Sequence, residues 1–448
     1  MTSSATRSVL VIGGGLAGIS AALRCADAGR TVTLVEAKRA LGGLTYSFRR
    51  GDLDVDNGQH VFLRCCTAYR ALLDRLGVTD QVVLQDRLDI PVRATWTDRP
   101  ARLRRTGLPA PAHLGRALLG YRLLSLRQRL RFIRAALAMK RLNRDESGVD
   151  ARSFGDWLRE HGQDGRTIDA LWDLVGIATL NARADESSLT MAAMVFQVGL
   201  LTDPGAADIG WSAVPLQRLH GDAALATLTA AGVAVHTNTK IDTLAVRGTG
   251  WSAGQFDADD VILAVPPPAA ERLLPTGAIA AAPGWAARLG SSPIINVHVV
   301  LDRRVLEVPF LAGVGTPIQW VFDRTRQSGL AGDGQYLAVS VSAADDFIDA
   351  PVATLRERLM PELEALLPAV RHAQVRDFFV TRERDATFRP APGSGALRPP
   401  AATGAPGLFL AGAWTDTGWP ATMEGAVRSG AAAATAVLGR PIRQDVTV

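Results

Sequence analysis

The chain has 448 residues, 47% apolar and 21% charged, a composition that buries a large core and divides into two or three structural units. No uncharged apolar run reaches the roughly 18 residues of a membrane-spanning helix, and the opening residues lack the order of a secretory leader, so a cytoplasmic protein is expected. The net charge of +5 conceals an asymmetry: Arg93 to Arg144 holds fourteen Lys or Arg against one acid, Asp98, leaving the remainder net negative.

Residues 8–13 predict a buried parallel strand, residues 16–29 an apolar-faced helix closed by Gly29, and residues 31–36 a second strand. The cysteines, Cys25, Cys65 and Cys66, lack metal-ligand spacing, fit a reducing compartment and imply no metal site; the adjacent pair is expected to point apart. Residues 114–143 contain no Pro and space Leu, Ala and Ile at helical intervals between arginines, which predicts one or two basic amphipathic helices. Strands are expected over 233–246 and 261–266, with Pro266 to Pro268 excluding a helix there. Further strands are expected at 294–301, 335–342 and 374–381, and a helix at 354–367. A Pro/Gly-rich loop then runs from Pro390 to Pro406, followed by a buried strand at 408–414 and a small-residue helix from Met423.

Gly13, Gly15 and Gly18 form a GxGxxG turn between a strand and a helix, with Glu36 ending the next strand. Gly13 permits the turn, Gly15 the approach of a pyrophosphate, and Gly18 the close packing of helix on sheet, while Glu36 accepts bonds from a ribose. This pattern serves NAD and FAD alike. FAD is favoured by a second glycine turn at Gly42-Gly43, by Asp56-Asn57-Gly58-Gln59-His60, and by a distant strand, Ala411-Gly412, leading to a helix near Met423. The N-terminus of that helix is placed to stabilise negative charge on a reduced flavin.

Taken together, GGGLAG, LGG, DNGQH, ILAVPP and WTDTGWPATMEGAVRSG resemble, over the whole chain, the bacterial hydroxysqualene dehydroxylases, a branch of the superfamily of carotenoid desaturases and flavin amine oxidases. The resemblance implies an α/β fold: a Rossmann-type FAD-binding domain from residues 1–92, 208–285 and 400–448, with an inserted α+β substrate domain of mixed sheet and helices from 93–207 and 286–399. It implies FAD held by Gly13, Gly15, Leu16, Ala17, Gly18, Glu36, Ala37, Gly42, Gly43 and Leu44. It further implies contacts from Gly58, Gln59, His60, Ile241, which lines the adenine, Ala264, Gly412, Asp416, Ala421, Thr422 and Met423. Two positions depart from the desaturase-like pattern: Leu44 stands where Arg is usual, and Ala413 where an acid is usual, with Asp416 as a candidate substitute.

The implied activity is reductive removal of a hydroxyl from hydroxysqualene, giving squalene for hopanoid or other triterpenoid synthesis. Glu383, Arg384 and His60 are the catalytic candidates; a Glu flanked by Arg382 and Arg384 also fits a structural ion-pair cluster, and His60 a structural role. An apolar isoprenoid substrate is expected to enter from a bilayer. The basic segment accordingly fits docking on anionic lipid at the inner face of the membrane as well as a plain solvated face, and it lacks the interleaved aromatics of a nucleic-acid site. One GxGxxG unit predicts an external reductase as electron donor. The competing readings are a carotenoid or phytoene-type desaturase and a flavin-free lipid carrier.

Overall fold

The computed structural model describes residues 7–439; the ends of the expected segments 1–92 and 400–448 lie outside them. Five parallel strands form the first sheet, in the order Ala234–His236, Thr31–Val35, Ser8–Ile12, Asp260–Leu263, Leu408–Leu410. The apolar runs of Ser8–Ile12, Asp260–Leu263 and Leu408–Leu410 reflect burial on both faces, while Ala234–His236 is a largely exposed edge strand. Val9, Val11, Leu34 and Ile262 pack against helices Leu16–Asp27 and Met423–Val437. Leu10, Ile12 and Leu263 face Trp251, Leu273 and Trp285 on the other side. The two helices touch: a Cβ on Gly430 would stand 2.1 Å from the Ala17 carbonyl oxygen.

The second sheet has seven strands, ordered Val375–Phe388, Ser291–Leu301, Gln335–Ser342, Trp320–Asp323, Phe310–Val314, Asp89–Ala94, Thr97–Arg104. Only Phe310–Val314 and Asp89–Ala94 run parallel, so the sheet is mixed, and the boundary expected after residue 92 falls inside a strand. Period-2 alternation sorts its faces. Ile295, Val297, Val299, Leu337 and Val339 meet Leu355, Leu359 and Leu363 of helix Val352–Leu366. Asn296, His298, Tyr336, Ser340, Thr381 and Glu383 alternate with them on the two central strands and the edge strand, and so line the opposite face.

The basic segment forms helices Gly115–Gly120 and Leu126–Arg141, the second opened by a capping box between Ser125 and Gln128. None of the helices among the described residues is long and apolar enough to cross a membrane.

Three expectations fail. Pro266 to Pro268 do not exclude a helix: Pro267–Leu273 is helical with Pro266 as its N-cap, because first-turn N–H groups need no intrahelical acceptor. Residues 233–246 are strand only at Ala234–His236 and Ala245–Arg247. Asn238, at φ 52°, turns the chain between them, and Asn238 and Thr239 donate to the Lys38 and Glu36 carbonyls instead of extending a ladder. Cys65 and Cys66 do not lie on a regular element: they sit on the turn entering helix Thr67–Arg75, where the neighbouring Cys66 pulls the Cys65 thiol pKa down. The strand expected at 374–381 runs on to Phe388.

Candidate active site

Parallel pairing places the C-terminal ends of the first sheet's strands side by side. Ile12 is in register with Val35 and Leu263, and Leu263 with Leu410, so Gly13, Glu36, Ala264 and Ala411 share one edge. Open α/β sheets bind ligands outside such an edge. Here it is shaped for a flat, phosphorylated molecule. Gly13 has φ +114°, and a Cβ there would stand 2.3 Å from the Ala264 carbonyl oxygen; on Gly18 it would stand 1.9 Å from that of Gly13. Gly15 caps the helix Leu16–Asp27 without a side-chain bond, which leaves the first-turn amides of Leu16, Ala17 and Gly18 to a bound anion.

The second glycine turn lies against the first. Gly42 N–H donates to the Gly14 carbonyl at 2.9 Å, and a Cβ on Gly43, φ +62°, would stand 2.8 Å from Gly15 Cα. The Glu36 carboxylate accepts from Gly14 N–H at 2.6 Å and Lys38 N–H at 2.8 Å. Ala37 is exposed beside it, and Ile241 lies past the end of Ala234–His236, packed beside Trp251.

Next along the edge comes residues 56–60. The Asn57 side chain donates to the Leu44 carbonyl at 2.8 Å and to Glu383 Oε1 at 2.9 Å, tying this strap to the glycine turn and to the seven-stranded sheet. Asp56 anchors its start through Arg324 at 2.5 Å, Ser47 and the Leu216 N–H, a buried pair with its remaining lone pairs satisfied. Burial pushes the His60 imidazole pKa down to about 4, against an opposing pull from Asp56, so it is neutral. Gln59 is half-buried beside it.

Strand alternation separates the catalytic candidates. Arg382 donates to the Ile348 and Ala350 carbonyls, and Arg384 pairs with the exposed Asp349 at 2.6 Å. Both point away from Glu383, so no ion-pair cluster forms. Glu383 instead faces the strap, and the Tyr46 phenol beside it is shifted up by burial and by the Glu383 charge. Glu383 therefore meets the strap that carries His60, through Asn57, and Arg384 lies outside it.

At the far end Gly412, φ +145°, donates to Ser429 Oγ at 2.8 Å. Thr422 caps the helix Met423–Val437 by accepting from Gly425 N–H, and Ala421, Thr422 and Met423 are half-buried at its start. Asp416 is exposed, held by its backbone N–H to Pro399. Sequence reasoning missed Arg398. It is 4% exposed, donates to the Thr415 carbonyl at 2.6 Å and that of Trp419 at 2.7 Å, and lies 4.7 Å from the Phe388 ring centroid. Desolvation lowers its pKa to about 10. Its signal was available: Arg398 is the sole charge between Pro390 and Thr415.

Beyond His60, Val61 and Leu63 pair with strand Ile209–Ser212 and lie with Phe132, Val175, Leu200 and Trp211 as half-buried apolar side chains around one cluster. That cluster sits between the seven-stranded sheet and the basic helices.

A family model, flavin containing amine oxidoreductase, matches residues 16–438. The chain is 31% identical to a hydroxysqualene dehydroxylase of Rhodopseudomonas palustris, over 97% of this chain and 99% of the relative. It is 29% identical to a second, from Sinorhizobium fredii, over 96% and 97%, and 25% identical to a 15-cis-phytoene desaturase of Synechococcus elongatus, over 96% of each. Among solved structures, putrescine oxidase bound to putrescine superposes with a TM-score of 0.71 at 19% identity, covering 97% of this chain and 99% of that one. A putative protoporphyrinogen oxidase from Exiguobacterium superposes at 0.68 and 17% identity, covering 97% and 98%, which establishes a shared fold.

Proposed function

The chain belongs to the flavin containing amine oxidoreductase family and is an FAD-dependent oxidoreductase, and from that premise we propose that it removes the hydroxyl of hydroxysqualene reductively to give squalene. The observation that carries this reading is the near-full-length similarity to dehydroxylases of that name. The apolar cluster next to His60 supports it, since a C30 chain needs such a surface. A flavin-free carrier is set aside by the family and by the intact glycine cradle.

Residue roles follow from placement. Glu36, Ala37 and Ile241 hold the adenosine end, Gly13 to Gly18 and Gly42 to Leu44 the pyrophosphate. Gly58 to His60, Ala264, Gly412, Asp416 and Ala421 to Met423 surround the flavin end. FAD, when bound and reduced, supplies the hydride that replaces the hydroxyl on carbon. Glu383 delivers the proton with which the hydroxyl leaves as water, and the Asn57 amide orients that carboxyl. Neutral His60 lies at the end of the strap beside the apolar cluster. Arg384, on the other face, has no direct role.

The outward leucines of the basic segment, Leu119, Leu126 and Leu130, lie beside Arg127, Arg129 and Arg131, a surface suited to anionic lipid and to substrate entry from a bilayer. With a single GxGxxG unit in the chain, an external reductase would supply the electrons.

Anaerobic incubation with reduced FAD and hydroxysqualene, followed by mass spectrometry, tests the reading. Squalene formation is expected, lost in Glu383→Gln with FAD retained. The desaturase relative favours a second reading, in which oxidised enzyme introduces double bonds into phytoene; product from phytoene and none from hydroxysqualene would select it.

A further inference from the structure

The strap at 56–60 is held from the sheet side by polar groups, two of them buried and one half-buried, that the chemistry above leaves unused. Tyr336, His298 and Thr381 lie on three neighbouring strands, on the face turned from helix Val352–Leu366. Tyr336 Oη is 2.7 Å from His298 Nδ1, His298 Nε2 is 3.0 Å from Thr381 Oγ1, and Thr381 Oγ1 is 2.8 Å from the Asn57 carbonyl oxygen.

The direction of these bonds is fixed by counting protons. A carbonyl only accepts, so the one Thr381 proton goes to Asn57. Thr381 oxygen therefore accepts from His298 Nε2–H. Burial lowers the His298 pKa to about 3, the ring is neutral, and its bare Nδ1 accepts from Tyr336. The histidine cannot turn away: it stacks on Phe379 at 4.6 Å and 10°, and the Arg50 guanidinium lies 4.2 Å from that ring.

At the receiving end the Asn57 carbonyl, which accepts from Thr381 at 2.8 Å and more weakly from Asn296 Nδ2–H at 3.5 Å, belongs to the peptide whose N–H is that of Gly58. Gly58 is buried, and its N–H has no hydrogen-bond partner among the described residues. Buried amides are almost always paired, so this donor is reserved for a group outside the chain. Hydrogen bonds aligned head to tail polarise one another, and donation to an amide oxygen makes the same amide's N–H more positive.

We propose that Tyr336, His298 and Thr381 form a one-way hydrogen-bond wire that polarises the Asn57–Gly58 peptide and strengthens the Gly58 N–H as a donor to the negatively charged reduced flavin. The three are positioning residues that act through that peptide. The inference rests on the reading that Gly58 to His60 face the flavin.

The test uses FAD-loaded protein without substrate, equilibrated anaerobically against a reference redox dye. Thr381→Val keeps the side-chain shape and breaks the wire; its reduced-to-oxidised flavin ratio at fixed dye poise should fall about threefold or more, the scale of one hydrogen bond. Thr381→Ser should restore the wild-type ratio, and Tyr336→Phe should give a smaller fall. A wild-type ratio in Thr381→Val, with or without a lower melting temperature, overturns the wire and leaves a structural contact. Should Thr381→Val fail to fold, Tyr336→Phe decides, and a wild-type ratio there overturns it equally. His60→Ala separates the two levels. A changed flavin spectrum in it beside a silent Thr381→Val removes the wire alone, whereas silence in both removes the strap from the flavin as well.

Discussion

The buried histidines show how single residues set the conditions under which the fold holds. His220 and His298 are fully buried, with Tyr69 and Tyr336 as hydroxyl partners, and desolvation lowers both pKa values to about 3. An unfolded histidine titrates near 6.5, so below that pH the unfolded chain binds protons that the folded chain refuses. Their stabilising contribution is complete above about pH 6.5 and is lost as pH falls toward 3, by roughly 2 kcal/mol for each histidine between pH 6.5 and 5. His60, lowered to about 4 and partly open to the cleft, adds to this with a smaller weight. Urea denaturation at pH 7 and pH 5 measures it: the midpoint should move to lower urea at pH 5. Asp173, whose carboxyl burial raises to about 7, protonates over the same window and offsets part of this loss, so the comparison is made in an Asp173→Asn background, where an unchanged midpoint would mean that these rings take up protons inside the fold.

Arg398 shows what an element needs that local patterning does not encode. The loop from Gly412 to Ala421 has no regular structure, and the buried guanidinium gathers its carbonyls from within. Arg398→Met preserves stem packing and leaves those acceptors unpaired, so a loss of about 2–4 kcal/mol in stability and weaker FAD retention are expected, read by thermal melting and by flavin absorbance after gel filtration. Wild-type values for both would show that the loop holds itself. The leucine stripe makes a second claim at this scale. Helix Leu126–Arg141 buries Ala135, Ala136 and Met139, while Leu126 and Leu130 remain 58% and 48% exposed. Leu126→Gln with Leu130→Gln should reduce sedimentation with anionic vesicles several-fold without changing the melting temperature; equal sedimentation would reduce the stripe to an ordinary solvated face. The inner parallel strands were legible in the sequence because their apolar runs are local signals, whereas the exposed edge strand Ala234–His236 was not delimited by any such run. The outer half of Val375–Phe388 was not, since RERD sets charges on both faces and only the tertiary structure separates Glu383 from its neighbours. The partners of Arg398 and Asn57, and the Tyr336 wire, were illegible for a related reason: the groups that meet are distant in sequence, and no periodicity marks them.

At the scale of the molecule, the edge at the C-terminal ends of the first sheet is assembled from three stretches far apart in the chain, joined by the pairing of Ser8–Ile12 with Asp260–Leu263 and of that strand with Leu408–Leu410. The same edge meets the second sheet through the strap, held by Glu383 and Thr381, through the Asp56–Arg324 pair, and through Phe388, which packs in one core cluster with Ile12, Leu263 and Leu410. A ligand lying along this edge touches all three stretches at once and binds the folded chain but not the unfolded one. Mass action then stabilises the fold by about 2.7 kcal/mol at a hundredfold excess over Kd. The thermal midpoint of FAD-stripped protein should therefore rise with FAD concentration and keep rising past saturation of the site, whereas AMP, which fills only the Glu36 end, should produce a smaller shift. Gly18→Val places a side chain against the Gly13 carbonyl, where even a Cβ would stand 1.9 Å away, and should abolish the FAD shift while leaving the seven-stranded sheet intact by circular dichroism. A midpoint indifferent to FAD in the wild-type chain would mean that the three stretches do not act as one site. Equal shifts from AMP and FAD would confine binding to the first glycine turn and leave the strap, Gly412 and the helix at Met423 without a ligand.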